Sequence, residues 1–142
     1  MKFILLSSIF LSVLMFSSSS KTPDQIQEIE NPLPECPSSP NCDRRSITVE
    51  YDSVKVMNTI DQTLRAMNAH SIEWNEESKI INSVFKIPLF GYLDDLDVAV
   101  QPNGSSTVIF IRSASREGYS DLGVNKRRVN KLVRKLNILL SS

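Results

Sequence analysis

From Ser46 onward the order of apolar and polar positions can be read as a series of elements. Ile47, Val49 and Tyr51 alternate with polar neighbours, as in a strand with one buried face. Asp52 and Ser53, either able to cap a helix, precede Val56, Met57, Ile60, Leu64 and Met67 at helical spacing, and this helix is expected to end near Asn68. Four short strands follow. Ser71 to Trp74 and Lys79 to Ile87 flank the turn formers Asn75-Glu76-Glu77-Ser78, and Pro88 and Gly91 bracket a break. Tyr92 to Val100 and Ser106 to Ser113 flank residues 101–105, where Asn103-Gly104 is the strongest hairpin signal in the chain. A last helix runs from about Asn125 to Leu140, with Val129, Leu132, Val133, Leu136, Leu139 and Leu140 on one face and most of its lysines and arginines on the others. The order β-α-β-β-β-β-α predicts an α+β domain: an antiparallel sheet of about five strands covered on one face by two helices. The other sheet face is then solvated or forms a shallow cradle.

Strand alternation also distributes the charges. With Asn103 and Gly104 as the two loop residues, Asp95 falls opposite Arg112. Asp95, Asp97 and Ala99 then share one face with Val108, Phe110 and Arg112. Leu96, Val98 and Val100 share the other, the core face, with Ile109, Ile111 and Ser113. The first face reads either as solvated ion pairing or as the floor of a polar site.

Ahead of this domain, Lys2 precedes an apolar run from Phe3 to Phe16, broken only by serines, and then Ser17 to Ser20. This pattern predicts a signal peptide over 1–20, with an uncleaved N-terminal anchor as the alternative, and places the protein in a periplasmic or extracellular compartment. Residues 21–45 carry five prolines and are expected to be extended and irregular, with the domain proper over 46–142. Export favours a disulfide between Cys36 and Cys42, closing a local loop around Pro37 and Pro40. Net charge is zero, but 14 acidic and 6 basic residues lie in 22–111, against 2 acidic and 8 basic in 112–142. That asymmetry fits a polyanion or anionic-lipid partner, or a basic helix set beside an acidic sheet whose fields cancel.

The densest supply of hydrogen-bonding groups is 112–128. Ser113, Ser115, Ser120, Asp121 and Asn125 suit the turns and helix start of a strand-to-helix connection, with Gly118 and Gly123 supplying positive φ. The functional reading brings Arg112, Arg116, Arg127 and Arg128 together with the helix N-terminus around a phosphate or carboxylate. Other chemistry is thinly supplied. His70 is the sole histidine, which disfavours a nucleophile–histidine arrangement, and two cysteines with one histidine make a poor zinc site. Neither a cofactor nor a metal is expected. A basic face without interleaved aromatics argues against nucleic acid.

Two segments carry a resemblance: Cys36-Pro-Ser-Ser-Pro-Asn-Cys42, and Asp94-Asp95 followed by 111–128, which reads I-R-S-A-S-R-E-G-Y-S-D-L-G-V-N-K-R-R. They resemble the domain of unknown function 1499 family, with its C-P-x-S-P-N-C opening and R-S-x-S-R-x-G-x-x-D-x-G-x-N-x-x-R close, over roughly Leu33 to Leu136. The resemblance implies a small α+β domain, often in exported or envelope-associated proteins, of uncharacterised function. Arg112, Ser113, Ser115, Arg116, Gly118, Asp121, Gly123, Asn125 and Arg128 match its signature. Asp43-Arg44-Arg45 departs from it, since family members commonly place a small or apolar residue and two serines there.

The expectation is therefore an exported, non-enzymatic α+β domain that binds a small anionic or polar ligand or an envelope component. Its candidate residues are Asp95, Asp97, Arg112, Ser113, Ser115, Arg116, Tyr119, Asp121, Asn125 and Arg128. The rival is a small hydrolase with Asp95 or Asp97 as base and Arg112 or Arg116 holding an anion. A third reading is a module contacting an anionic membrane surface through its basic C-terminal helix.

Overall fold

The computed structural model describes residues 29–88 and 90–142; the signal-peptide reading of 1–20 lies outside the described residues. The elements follow the expected order: β1 (Cys42–Val49), α1 (Ser53–Ala66), β2 (Ser71–Asn75), β3 (Ile80–Lys86), β4 (Leu93–Asn103), β5 (Ser106–Ser115) and α2 (Val124–Ser141). They build one antiparallel sheet in the order β1-β5-β4-β3-β2. Both helices lie on one face, and the core between them and the sheet holds Val56, Ile60, Leu64, Leu96, Val98, Ile109, Ile111, Val129, Leu132 and Leu136, all fully buried. β1 begins at Cys42, four residues before the alternation that signalled it.

Local chemistry sets the helix ends. Asp52, in an extended conformation, accepts from the backbone N–H of Lys55 at 2.9 Å and caps α1. At the other end Asn68 takes a left-handed φ of 62°. The N–H groups of Asn68 and Ala69 return to the carbonyls of Arg65 and Leu64, which satisfies two of the last carbonyls of the helix.

The β4–β5 hairpin corrects the expected register. Gly104, at φ 60°, and Ser105 form the two-residue loop, and Asn103 pairs with Ser106 as the last rung. A positive φ at the first loop position only is the pattern of a II′ turn, which needs glycine first; the expected Asn-Gly loop would have needed positive φ at both positions. Arg112 therefore faces Asp97, and Asp95 faces Ala114. The slip preserves parity, so every residue stays on its expected face.

The outer face is neither bare nor uniform. Its apolar end, Ile80, Ala99, Val108 and Phe110, is covered by Ile29 and by Leu33, which is buried. Beside it runs a polar row in register across all five strands: Glu73, Asn82, Asp97, Arg112 and Arg44. The guanidinium of Arg44 donates to the carbonyl of Leu33 at 3.0 Å and pairs with Glu35 at 2.9 Å, so it ties the 29–35 segment down. Arg45 donates to Asp43 and, at 2.9 Å, to Asn130, joining β1 to α2. The Asp43-Arg44-Arg45 triplet thus holds two pieces of chain to the sheet. The Cys36–Cys42 disulfide is formed and fixes the far end of the covering segment to the start of β1.

Leu33→Ala should cost about 2 kcal/mol or more in chemical denaturation, as for other buried leucines. An unchanged midpoint would show that the covering segment is not part of the cooperative fold.

Candidate functional site

The 112–128 segment splits across the sheet, because odd and even positions of β5 point to opposite faces. Ser113 and Ser115 turn toward the helices with Asp94, while Arg112 and Arg116 turn outward with Asp95 and Asp97. The four arginines expected to converge on one anion do not meet. Arg112 and Arg116 are on the outer face, Arg128 is buried in a corner under α2, and Arg127 lines a cleft at the loop end.

The corner is a closed polar network. Arg128 Nη2 donates to Asp94 Oδ2 at 2.6 Å with both side chains buried, and Nη1 donates to Ser113 Oγ at 3.1 Å and to Asn125 Oδ1. The Arg128 guanidinium also lies 4.9 Å from the Phe85 ring centroid. Asn125 Nδ2 donates to the carbonyl of Asn41 at 3.0 Å and to Ser115 Oγ at 2.9 Å. Asn41 Nδ2 in turn donates to the carbonyl of Gly118 at 2.7 Å, which ties the cysteine loop to the β5–α2 connection.

Asp121 holds the start of α2, accepting from the N–H of Gly123 at 2.8 Å and of Asn125 at 2.7 Å. Burial acts to raise its carboxyl, but these backbone donors together outweigh it, so Asp121 titrates below its ordinary value. Gly123, at φ 77°, turns the chain into the helix, and an added Cβ would meet the Arg127 guanidinium at 3.2 Å. Nearly every residue of the signature between Ser113 and Arg128 is accounted for by this corner.

On the outer face Arg116 clasps Asp95, with Nη2 to Oδ1 at 2.7 Å, in the open. Asp97 accepts from Asn82 Nδ2 at 2.8 Å, and its approach to Arg112 is only 3.7 Å. Burial, opposed by that hydrogen bond and aided by the Asp95 charge, raises the Asp97 carboxyl above its ordinary value. Arg112 and Arg44 stand opposite one another across β5 and β1, and the Nε of each is buried without a partner among the described residues. A shallow polar depression of about 300 Å³ is lined by Asp95, Asp97, Arg116 and Asn82; Arg112 does not line it.

A different concavity lies at the loop end. A cleft of about 400 Å³ opens between the 87–92 loop and the 115–124 loop, with Phe90, Tyr92, Asp94, Ser115, Asp121 and Leu122 among its lining. The first loop is tightened by Ile87 N–H to the carbonyl of Tyr92 and Gly91 N–H to the carbonyl of Ile87, both 2.8 Å. It presents Phe90 and Tyr92 as a stacked pair with ring centroids 5.9 Å apart. Phe90 is 66%, Tyr92 51% and Leu122 86% exposed. Of the ten candidate residues only Ser115 and Asp121 line this cleft; Tyr119 stands outside it in solvent. Sequence reading missed Phe90, Tyr92 and Leu122. For Phe90 a signal was present in the Pro88–Gly91 break, which puts a large apolar residue in a turn rather than a strand; Leu122 carried none.

The two ion pairs should separate under mutation. Arg128→Ala leaves Asp94 buried and uncompensated and should cost about 3–5 kcal/mol, whereas Arg116→Ala, which removes a solvated pair, should change the denaturation midpoint little. Equal effects would contradict this division.

Asp97 makes a pH prediction. A raised folded-state carboxyl contributes stability below its unfolded value, near 3.8, that is lost as pH rises through the folded value. The stability of Asp97→Asn relative to the parent should therefore rise between pH 4 and pH 7; a flat or falling difference would refute the assignment.

No curated protein matches the chain. Among solved structures, the fold is similar to the adenylate sensor from AMP-activated protein kinase, solved in complex with 5-aminoimidazole-4-carboxamide 1-beta-D-ribofuranotide, at 14% identity and a TM-score of 0.52, over 63% of this chain and 93% of that one. TTHA0849 from Thermus thermophilus is 12% identical with a TM-score of 0.39, over 71% of this chain and 99% of that one. The first likeness extends to the fold alone. A family model described as "Protein of unknown function (DUF1499)" matches residues 16–136. Matched over most of its length, the chain belongs to the DUF1499 family.

Proposed function

We propose that this is an exported, non-enzymatic binding domain of the cell envelope, with its ligand site in the cleft between the 87–92 and 115–124 loops. Export is supported by the basic start, apolar run and serines of 1–20, and by a disulfide, a bond that persists in oxidising compartments. The observation that carries the binding site is the cleft itself. Its volume of about 400 Å³ falls in the range of small-molecule sites, and it is formed by two loops on a rigid sheet and helix.

Its rim is hard to explain by folding alone. Leu122 holds φ at 53° and gives 86% of its surface to water, so it bears left-handed strain without gaining burial. Phe90 and Tyr92 add exposed apolar surface beside it, which on a small domain favours a contact role. Of the anionic or polar ligand expected from sequence, the lining supports a polar one, because it presents Asp94, Glu117 and Asp121 against Arg127.

A hydrolase on the outer face is the second reading, and the raised Asp97 carboxyl favours it. Against it, Asp95 has both oxygens engaged by Arg116.

Leu122→Gly separates fold from function. It relieves the left-handed strain, so stability should stay within about 1 kcal/mol of the parent or rise. Ligands that raise the parent's melting temperature in a thermal-shift screen of polar metabolites and envelope glycans should stabilise this variant less. A large destabilisation would show that Leu122 serves the fold, and equal ligand stabilisation would move the site away from the cleft.

A further inference from the structure

Within the cleft one nearly buried group keeps an unengaged acceptor. Asp94 is 2% exposed, yet it lines the cleft. Its Oδ2 accepts from Arg128, while Oδ1 accepts no hydrogen bond among the described residues. The fully buried side-chain atoms without a partner among the described residues are Arg44 Nε and Arg112 Nε, so Oδ1 keeps an opening to the cleft through which a donor can reach it. Of the other two carboxylates on the lining, Asp121 has both oxygens held by backbone N–H groups and Glu117 is exposed to water. The one cation on the lining, Arg127, donates Nη1 to the carbonyl of Leu122 at 2.9 Å. A ligand entering here meets three carboxylates against one guanidinium, and adding Arg128 behind Asp94 leaves the balance acidic.

We propose that the cleft takes a cationic amphiphile: an amine whose head donates to Asp94 Oδ1 and whose apolar or aromatic body lies against Phe90 and Tyr92. This rests on the cleft being the binding site, as proposed above. Each alternative head group fails for a stated reason. An anion is repelled by Glu117, Asp121 and Asp94, and a wholly apolar ligand strips water from Oδ1 without replacing it. An ammonium supplies the missing donor, complements the charge, and gains from the faces of the aromatic pair. The aromatic rings and Leu122 at the mouth provide apolar surface for a body about the size of one or two rings.

The test is an NMR titration of the disulfide-intact chain with two probes of matched ring and chain, phenethylamine and 3-phenylpropionate. Amide shifts at 87–92 and 115–124 locate binding. Phenethylamine should bind there at least about tenfold more tightly than the carboxylate, a difference of about 1.4 kcal/mol. Equal affinity, or a preference for the carboxylate, would overturn the ligand class while leaving the cleft as a site. Shifts elsewhere only, or none with either probe, would overturn the cleft reading and this inference together. Tyr92→Ala, at an exposed position outside the corner, should weaken the amine by about threefold or more, and an unchanged affinity would overturn the placement of its body on the aromatic pair. Asp94→Asn should erase the amine preference. Because that change also disturbs the Arg128 pair, the parent's ranking of the two probes decides the question should the variant not fold.

Discussion

A guanidinium buried at the junction of sheet and helix constrains everything around it. Arg128 leaves water to sit beneath α2, and such a charge is tolerated only when it is paired and its donors are filled. Asp94 supplies the counter-charge, and Ser113 and Asn125 take the second nitrogen. Those partners must then be held themselves. Asn125 reaches across to the carbonyl of Asn41 and to Ser115, and Asp121 fixes the turn that delivers Asn125 to its place. One buried charge thus ties β4, β5, the cysteine loop and α2 into a single polar unit, in which removing any member leaves another unsatisfied.

This dependence sets how much of the chain the corner enlists. Its residues are far apart in sequence, from Asn41 to Arg128, yet most of them are one or two hydrogen bonds from the same guanidinium. The outward arginines, Arg112 and Arg116, belong to a separate system. They compensate the acidic outer strand and, through the row shared with Arg44, the segment that covers the apolar end of the sheet. Both systems are carried by one strand because alternation lets β5 serve two faces at once.

What could be read from sequence follows the same division. Period and turn chemistry gave the element order, the helix faces and the core side of β4 and β5, because each reflects local preference or strict alternation. Arg112 was assigned to Asp95 rather than Asp97 because Asn-Gly pairs favour a loop that this chain forms one residue later, a choice set by strand pairing beyond the turn. The grouping of Arg112 with Arg128 failed for a tertiary reason: the strand ends between them, and a helix start turns the second arginine inward. Leu33 looked like part of an irregular leader, and nothing local shows that Phe110 and Ala99 need a cover. Phe90, Tyr92 and Leu122 were invisible as a group, since the two loops that bring them together are about thirty residues apart and meet only in the folded sheet.

Asp94 connects the two halves of this picture. Its one oxygen completes the corner, and its other oxygen has no donor among the described residues. A group in that position cannot be tuned for binding without cost to the fold, so the freedom to vary lies in the loops around it. The exposed aromatics and the strained leucine are where such variation is cheap, because none of them supports the core. In the binding proposed above, the acceptor for a ligand's head is held by the same ion pair that seats α2, while its body meets exposed side chains on which the core does not depend.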